Sequence, residues 1–229
     1  MMNPNYEFKT LPNGTVVAVK KEKTKEKKER PTGFGNRRTT EVLVLSDKFL
    51  YRRAFSTLQL LKAIKPEDFK LGNSIHVITG GNVDQLSYLE LMIMQQPLAY
   101  CLISTWVMGE EDIKQIEEWM DEGKLHKVDF FVGEIFPTQY PIGFAMLNRL
   151  IERTACGRVA VFRNHSKIIA GYGTLYPFVV ETSANVNTNP RTEQGVITLD
   201  KGLMDFYRAY FDGIKGFNEK DDKAYTETK

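Results

Sequence analysis

The stretch Arg163-Asn164-His165-Ser166-Lys167 holds residue types suited to chemistry on a phosphate ester. His165 and Lys167 lie two apart on an apolar, strand-like run, and a strand points residues i and i+2 to one face. An imidazole and an ammonium then project together. Glu181-Thr182-Ser183-Ala184-Asn185 follows, and the same rule pairs Ser183 with Asn185; Arg191-Thr192-Glu193-Gln194 comes next. An imidazole can attack phosphorus, an ammonium can neutralise charge on the oxygens, and short polar groups can donate hydrogen bonds to them. Glu193 is expected either to hold the imidazole of His165 in the correct tautomer or to stand as an ordinary surface carboxylate.

The elements that must carry these residues read as strands alternating with helices. Strands are expected at 75–79, 100–107, 127–132, 158–170, 178–183 and 195–199, with His165 and Lys167 inside the fourth. Helices are expected at 83–94, 110–120, 144–151 and 203–214. In the last, Phe206, Tyr207, Tyr210 and Phe211 are read as facing inward. Upstream, 52–64 has helical spacing through Phe55, Leu58, Leu61 and Ile64, ending before Pro66. Gly80-Gly81-Asn82 reads as a turn that caps the following helix, and Gly171-Tyr172-Gly173 as a hairpin tip. This alternation implies an α/β fold, a mixed β-sheet flanked by helices on both faces.

The ordered set His165, Lys167, Ser183, Asn185 and Glu193 resembles the phospholipase D superfamily. Its signature is His-x-Lys, then Gly-Ser-x-Asn on the next strand, with a carboxylate shortly after. The likeness covers about residues 74–215. Two positions depart from the pattern. Tyr172 and its two glycine neighbours occupy the region of the signature's aspartate, and Thr182 replaces its leading glycine. The resemblance implies a phospholipase D-like fold with one motif per chain, where the family builds each active site from two. It therefore implies a homodimer. It also implies covalent catalysis at His165, with the partner's histidine protonating the leaving oxygen and Lys167 and Asn185 steadying the phosphate.

Among the family's members, the small one-motif endonucleases are the most similar, so the expected activity is that of a phosphodiesterase acting on nucleic acid. A nucleic-acid-binding or scaffolding module with weak or lost catalysis is the alternative. No cofactor is expected. His76 reads as a core residue and His126 as exposed, and neither forms a metal-ligand spacing with Cys, Asp or Glu. The segment 136–141, after the third strand, is a candidate lining of the substrate groove.

The chain of 229 residues is 42% hydrophobic and 26% charged, ordinary for a globular protein, with a net charge of +2. That charge is unevenly spread. Residues 20–38 hold nine Lys or Arg against three Glu, a local +6, which leaves −4 for the remainder. Such a run lacks an apolar face and suits either a solvated linker or an arm that neutralises phosphates. The expected organisation is 1–38, a hairpin turning at Asn13-Gly14 followed by the basic linker; 39–73, a lead-in; 74–217, the phospholipase D-like domain; and 218–229, a polar tail. Cys101 and Cys156 read as free thiols. With no membrane-length apolar run and no signal-peptide pattern, a cytoplasmic location and no membrane partner are expected.

Overall fold

The structure, a computed structural model, describes residues 6–10, 16–20, 47–186 and 191–215. The chain divides into two compact units, Met1–Leu43 and Val44–Lys229. In the first, β1 (Tyr6–Thr10) pairs antiparallel with β2 (Val16–Lys20), from Thr10 opposite Val16 to Tyr6 opposite Lys20. This is the expected hairpin. Its turn at Asn13-Gly14, nearly all of the basic run and the polar tail lie outside the described residues.

The second unit opens with α1 (Asp47–Ala63), followed by a 3-10 turn at Pro66–Asp68. Seven strands then form one sheet: β3 (Ser74–Thr79), β4 (Leu98–Thr105), β5 (Val128–Gly133), β6 (Gly157–Phe162), β7 (Ile168–Gly173), β8 (Pro177–Thr182) and β9 (Glu193–Thr198). Their spatial order is β3-β9-β8-β7-β4-β5-β6. β4, β5 and β6 run parallel; the other pairings are antiparallel. The parallel strands need crossovers, supplied by α3 (Glu110–Asp121) and by α4 (Phe136–Gln139) with α5 (Pro141–Thr154). The mixed α/β sheet is the expected fold class.

Strand alternation sorts the side chains between two layers. Ile103, Phe130, Ile169, Val180 and Ile197 share one core with α1, α2 (Gln85–Gln95), α3 and α5. Leu102, Phe131, Ala170 and Val179 face the opposite way, toward Met204 and Phe211 of α6 (Lys201–Asp212). Helices thus cover both faces. Leu60 of α1 and Ile64, just after it, join the larger core, so the segment expected as a lead-in is part of it.

Several local expectations are corrected. The run 158–170 is two strands separated by 163–167, and they are not neighbours: β6 pairs with β5, β7 with β4. α6 buries Met204 and Phe211 but leaves Phe206 63% and Tyr210 64% exposed. α1 likewise exposes Phe55 and Leu58. His76 is exposed, because it lies on the face of β3 opposite Ile75 and Val77, which pack against the core; His126 is exposed as expected. Asp84, not the glycine turn, caps α2 by accepting from the Ser87 amide at 2.7 Å. Gly171 and Gly173 lie in β7 rather than at a hairpin tip. A Cβ at either would meet a β4-side carbonyl, Tyr100 O at 2.6 Å or Pro97 O at 2.3 Å, so glycine permits the close approach there.

Candidate active site

The connection from β6 to β7 has to pass the ends of β5 and β4 to reach its pairing partner. Asn164 makes that crossing possible. Its Nδ2 donates to Phe131 O at 2.7 Å, to Ser104 Oγ at 2.9 Å and to Thr105 O at 3.3 Å. Its Oδ1 accepts from Ser166 N at 3.0 Å and Ser166 Oγ at 2.7 Å. One buried amide therefore satisfies backbone groups left open where β4 and β5 stop. Ser104 Oγ and Ser166 Oγ, 2.6 Å apart, close the network. The chain at 165–167 is fixed across the end of the sheet where the parallel strands finish.

His165 projects from this crossing and is exposed. The indole of Trp106, just beyond β4, lies against its ring with centroids 5.3 Å apart and planes tilted by 56°. Trp106 occupies space that only glycine leaves free: a Cβ on Gly133 would sit 2.4 Å from Trp106 Cδ1 and 2.8 Å from its carbonyl oxygen. Lys167 is buried, with Nζ 3.2 Å from His165 Nδ1 and donating to His165 O at 2.7 Å. Burial holds its pKa below the usual lysine value, and the nearby Glu193 opposes that shift. The pair expected from the His-x-Lys spacing is brought together, but by a loop and not by one strand face.

Ser183 and Glu193 also meet. Ser183 Oγ donates to Glu193 Oε2, and Ser183 N donates to Gln194 O at 3.0 Å where β8 and β9 separate. Thr182 N donates to Lys167 O at 3.1 Å, which seats Lys167 between the ends of β4 and β8. The Thr182 hydroxyl, where the resembling pattern has glycine, closes a turn by donating to Gln194 O and accepting from Ala184 N. Glu193 is thus bonded to Ser183 and electrostatically coupled to Lys167, while the group against His165 Nδ1 is the lysine. The tautomer-holding part expected of Glu193 is not what this arrangement shows. Asn185 meets neither His165 nor Lys167 in a hydrogen bond among the described residues. Its carbonyl accepts from Gln85 N at 3.1 Å, and its buried side-chain Oδ1 has no partner among them.

Sequence reasoning missed three groups. Asn164 was signalled only by its place beside His165, and Trp106 by its place at the end of an apolar strand. Tyr88 of α2 lies over Gly195, and burial, with smaller contributions from Asp84 and Glu193, pushes its hydroxyl up to about 12. A cleft of about 370 Å³ opens beside His165 toward α6. Of the segment 136–141, Gln139, Tyr140 and Pro141 line a different cleft, shared with Val107 and Met108, whose lining lacks His165. No group of three His, Cys, Asp or Glu suited to a metal occurs among the described residues. No helix among them is long and apolar enough to cross a membrane.

No protein-family profile matches the chain, and no curated protein matches its sequence. Solved structures similar to it include polyphosphate kinase from Porphyromonas gingivalis, with 14% identity over 65% of this chain and a TM-score of 0.48. Another is phosphatidylserine synthase from Haemophilus influenzae Rd KW20, with 16% identity over 60% of this chain and a TM-score of 0.42. The chain spans 27% of the first structure's length and 37% of the second's. These are likenesses of shape, at identities too low to speak of activity.

Proposed function

We infer that the site at His165 and Lys167 performs phosphoryl-transfer chemistry as a phosphodiesterase acting on nucleic acid. The observation that carries this is an exposed imidazole backed by a buried ammonium at 3.2 Å. A buried lysine wants an anion, and a phosphate seated before His165 offers one. His165 Nε2 attacks phosphorus, an N–P bond forms, and the P–O bond to the leaving alcohol breaks. A second His165, from a partner copy, protonates that oxygen. It then takes a proton from water, which attacks phosphorus and releases the imidazole. Lys167 neutralises charge on the phosphate oxygens.

The resting geometry sets a condition on this mechanism. An ammonium donating to Nδ1 places the neutral imidazole's proton on Nε2, the atom that must attack. A phosphate that draws Lys167 toward its own oxygens frees Nδ1 to take the proton instead. The same observation favours a second reading, a nucleic-acid-binding module with weak or lost catalysis, in which the lysine keeps the imidazole unreactive.

The test is single-turnover reaction of a labelled oligonucleotide and of bis(p-nitrophenyl) phosphate, in EDTA, quenched and mapped. Acid-labile phosphate on His165 is expected, and His165→Ala should lose turnover by about 10³-fold or more while unfolding normally. Hydrolysis unchanged in His165→Ala would place the chemistry elsewhere. Binding without turnover by wild type would establish the second reading.

A further inference from the structure

We propose that the cleft between His165 and α6 is a stacking subsite for an unpaired nucleobase of the substrate strand. The proposal rests on the phosphodiesterase reading above and names the form of nucleic acid that the site takes. The cleft has about 370 Å³, within the size range of small-ligand sites. His165 is part of its wall, so a group held there sits beside the phosphate being handled. The rest of the wall is chiefly aromatic: Phe162, Phe206, Tyr207, Tyr210 and Phe211, with Ile168 the lone aliphatic residue in the lining.

That composition chooses among ligands. An acyl chain fills aliphatic surface; flat rings are matched by other flat rings. Phe206 and Tyr210 are one helical turn apart and stand 63% and 64% exposed. They are accessible rings on a helix whose own packing is met by Met204 and Phe211. Their setting is firm. Tyr207 donates to Glu181, and Phe211 packs on Phe131 with centroids 4.6 Å apart. Exposed Arg163 adds a planar cation to the same lining. Exposed rings and a guanidinium beside a phosphate-handling group are the means by which proteins hold single strands without reading sequence. A base inside a duplex presents no free face to such a platform, so the cleft selects unpaired strands.

The test reads binding apart from turnover. Fluorescently labelled single-stranded oligo-dT, the same strand with abasic residues, and a duplex of equal length are titrated by anisotropy at one salt concentration, with His165→Ala as the non-turnover protein. The expected order is oligo-dT bound about ten-fold or more tightly than the abasic strand, with the duplex also weaker. Adding Phe206→Ala and Tyr210→Ala, both exposed helix positions that alanine suits, should remove most of the difference between oligo-dT and the abasic strand. Equal binding of base-bearing and abasic strands would overturn the subsite. So would a double variant that weakens both alike or that alters only the sedimentation of the protein. Turnover of bis(p-nitrophenyl) phosphate by wild type with no base dependence in binding would sink the cleft and leave the phosphodiesterase. Base-dependent binding with no turnover would do the reverse.

Discussion

Lys167 exposes a conflict between stability and function that can be measured. It is buried, and its lowered pKa means the folded chain holds that proton less tightly than the unfolded chain does. The charged form therefore costs stability wherever lysine is protonated in both states. That cost is full at neutral pH and fades only as pH climbs through the folded value toward the ordinary 10.5. Lys167→Met should remove it. The expected result is a Tm higher by about 2–4 °C at neutral pH, the effect of ~1 kcal/mol in a domain of this size, with the advantage shrinking toward pH 11. Phosphodiesterase activity should be lost. A variant less stable than wild type at pH 7 would mean that the bond to His165 O outweighs desolvation. At this scale the sequence was informative. The pairing of His165 with Lys167 was legible from spacing, because neighbours in sequence are neighbours in space, whereas Ser183 was matched with Asn185 and bonds Glu193 instead. The partner of the imidazole was not, since Glu193 turns to Ser183 and Lys167 reaches back to Nδ1.

The element that decides the site is the five-residue crossing at 163–167, and no local pattern announces it. Arg158 to Ala170 reads as one apolar strand because most of it is strand; what divides it is Asn164 capturing groups from β4 and β5, whose positions only the tertiary fold supplies. Asn164→Asp keeps the shape but turns a donor into a carboxylate facing the carbonyls of Thr105 and Phe131. It should lower stability by about 3 kcal/mol, read by urea titration, and should lower kcat because His165 loses its support. An Asp variant as stable as wild type would show that shape, not the donated bonds, holds the crossing. Gly133→Ala tests the other support. Its methyl would enter the Trp106 indole, so the indole and the ring resting on it must shift. A changed Trp fluorescence spectrum and a fall in kcat larger than the change in KM are expected. The reading of α6 failed for a similar reason. Four aromatics at helical spacing look like a buried stripe, yet the sheet offers room for Phe211 alone among them to bury fully, and the ring pair Phe206–Tyr210 is left at the cleft mouth.

At the scale of the molecule, the α/β class followed from the alternation of elements, because each strand or helix announces itself through its own period. Strand order did not, since β7 takes its place beside β4 only after the crossing. The single His-x-Lys in this chain supplies an imidazole that can attack or protonate, but one ring cannot do both in the same step. In the proposed mechanism a second copy related by a two-fold axis would supply the other. Sedimentation should give a dimer, and mixing provides a sharper measurement. When unfolded wild type and His165→Ala are combined and refolded together, dimers form at random. If each site needs both imidazoles, activity should fall as the square of the wild-type fraction, so that an equal mixture keeps about one quarter of its activity. If each chain acts alone, the equal mixture keeps about half. A linear dependence on the wild-type fraction would leave the proton for the leaving oxygen to come from within the chain, where the buried ammonium of Lys167, its proton already loosened by desolvation, is the nearest source.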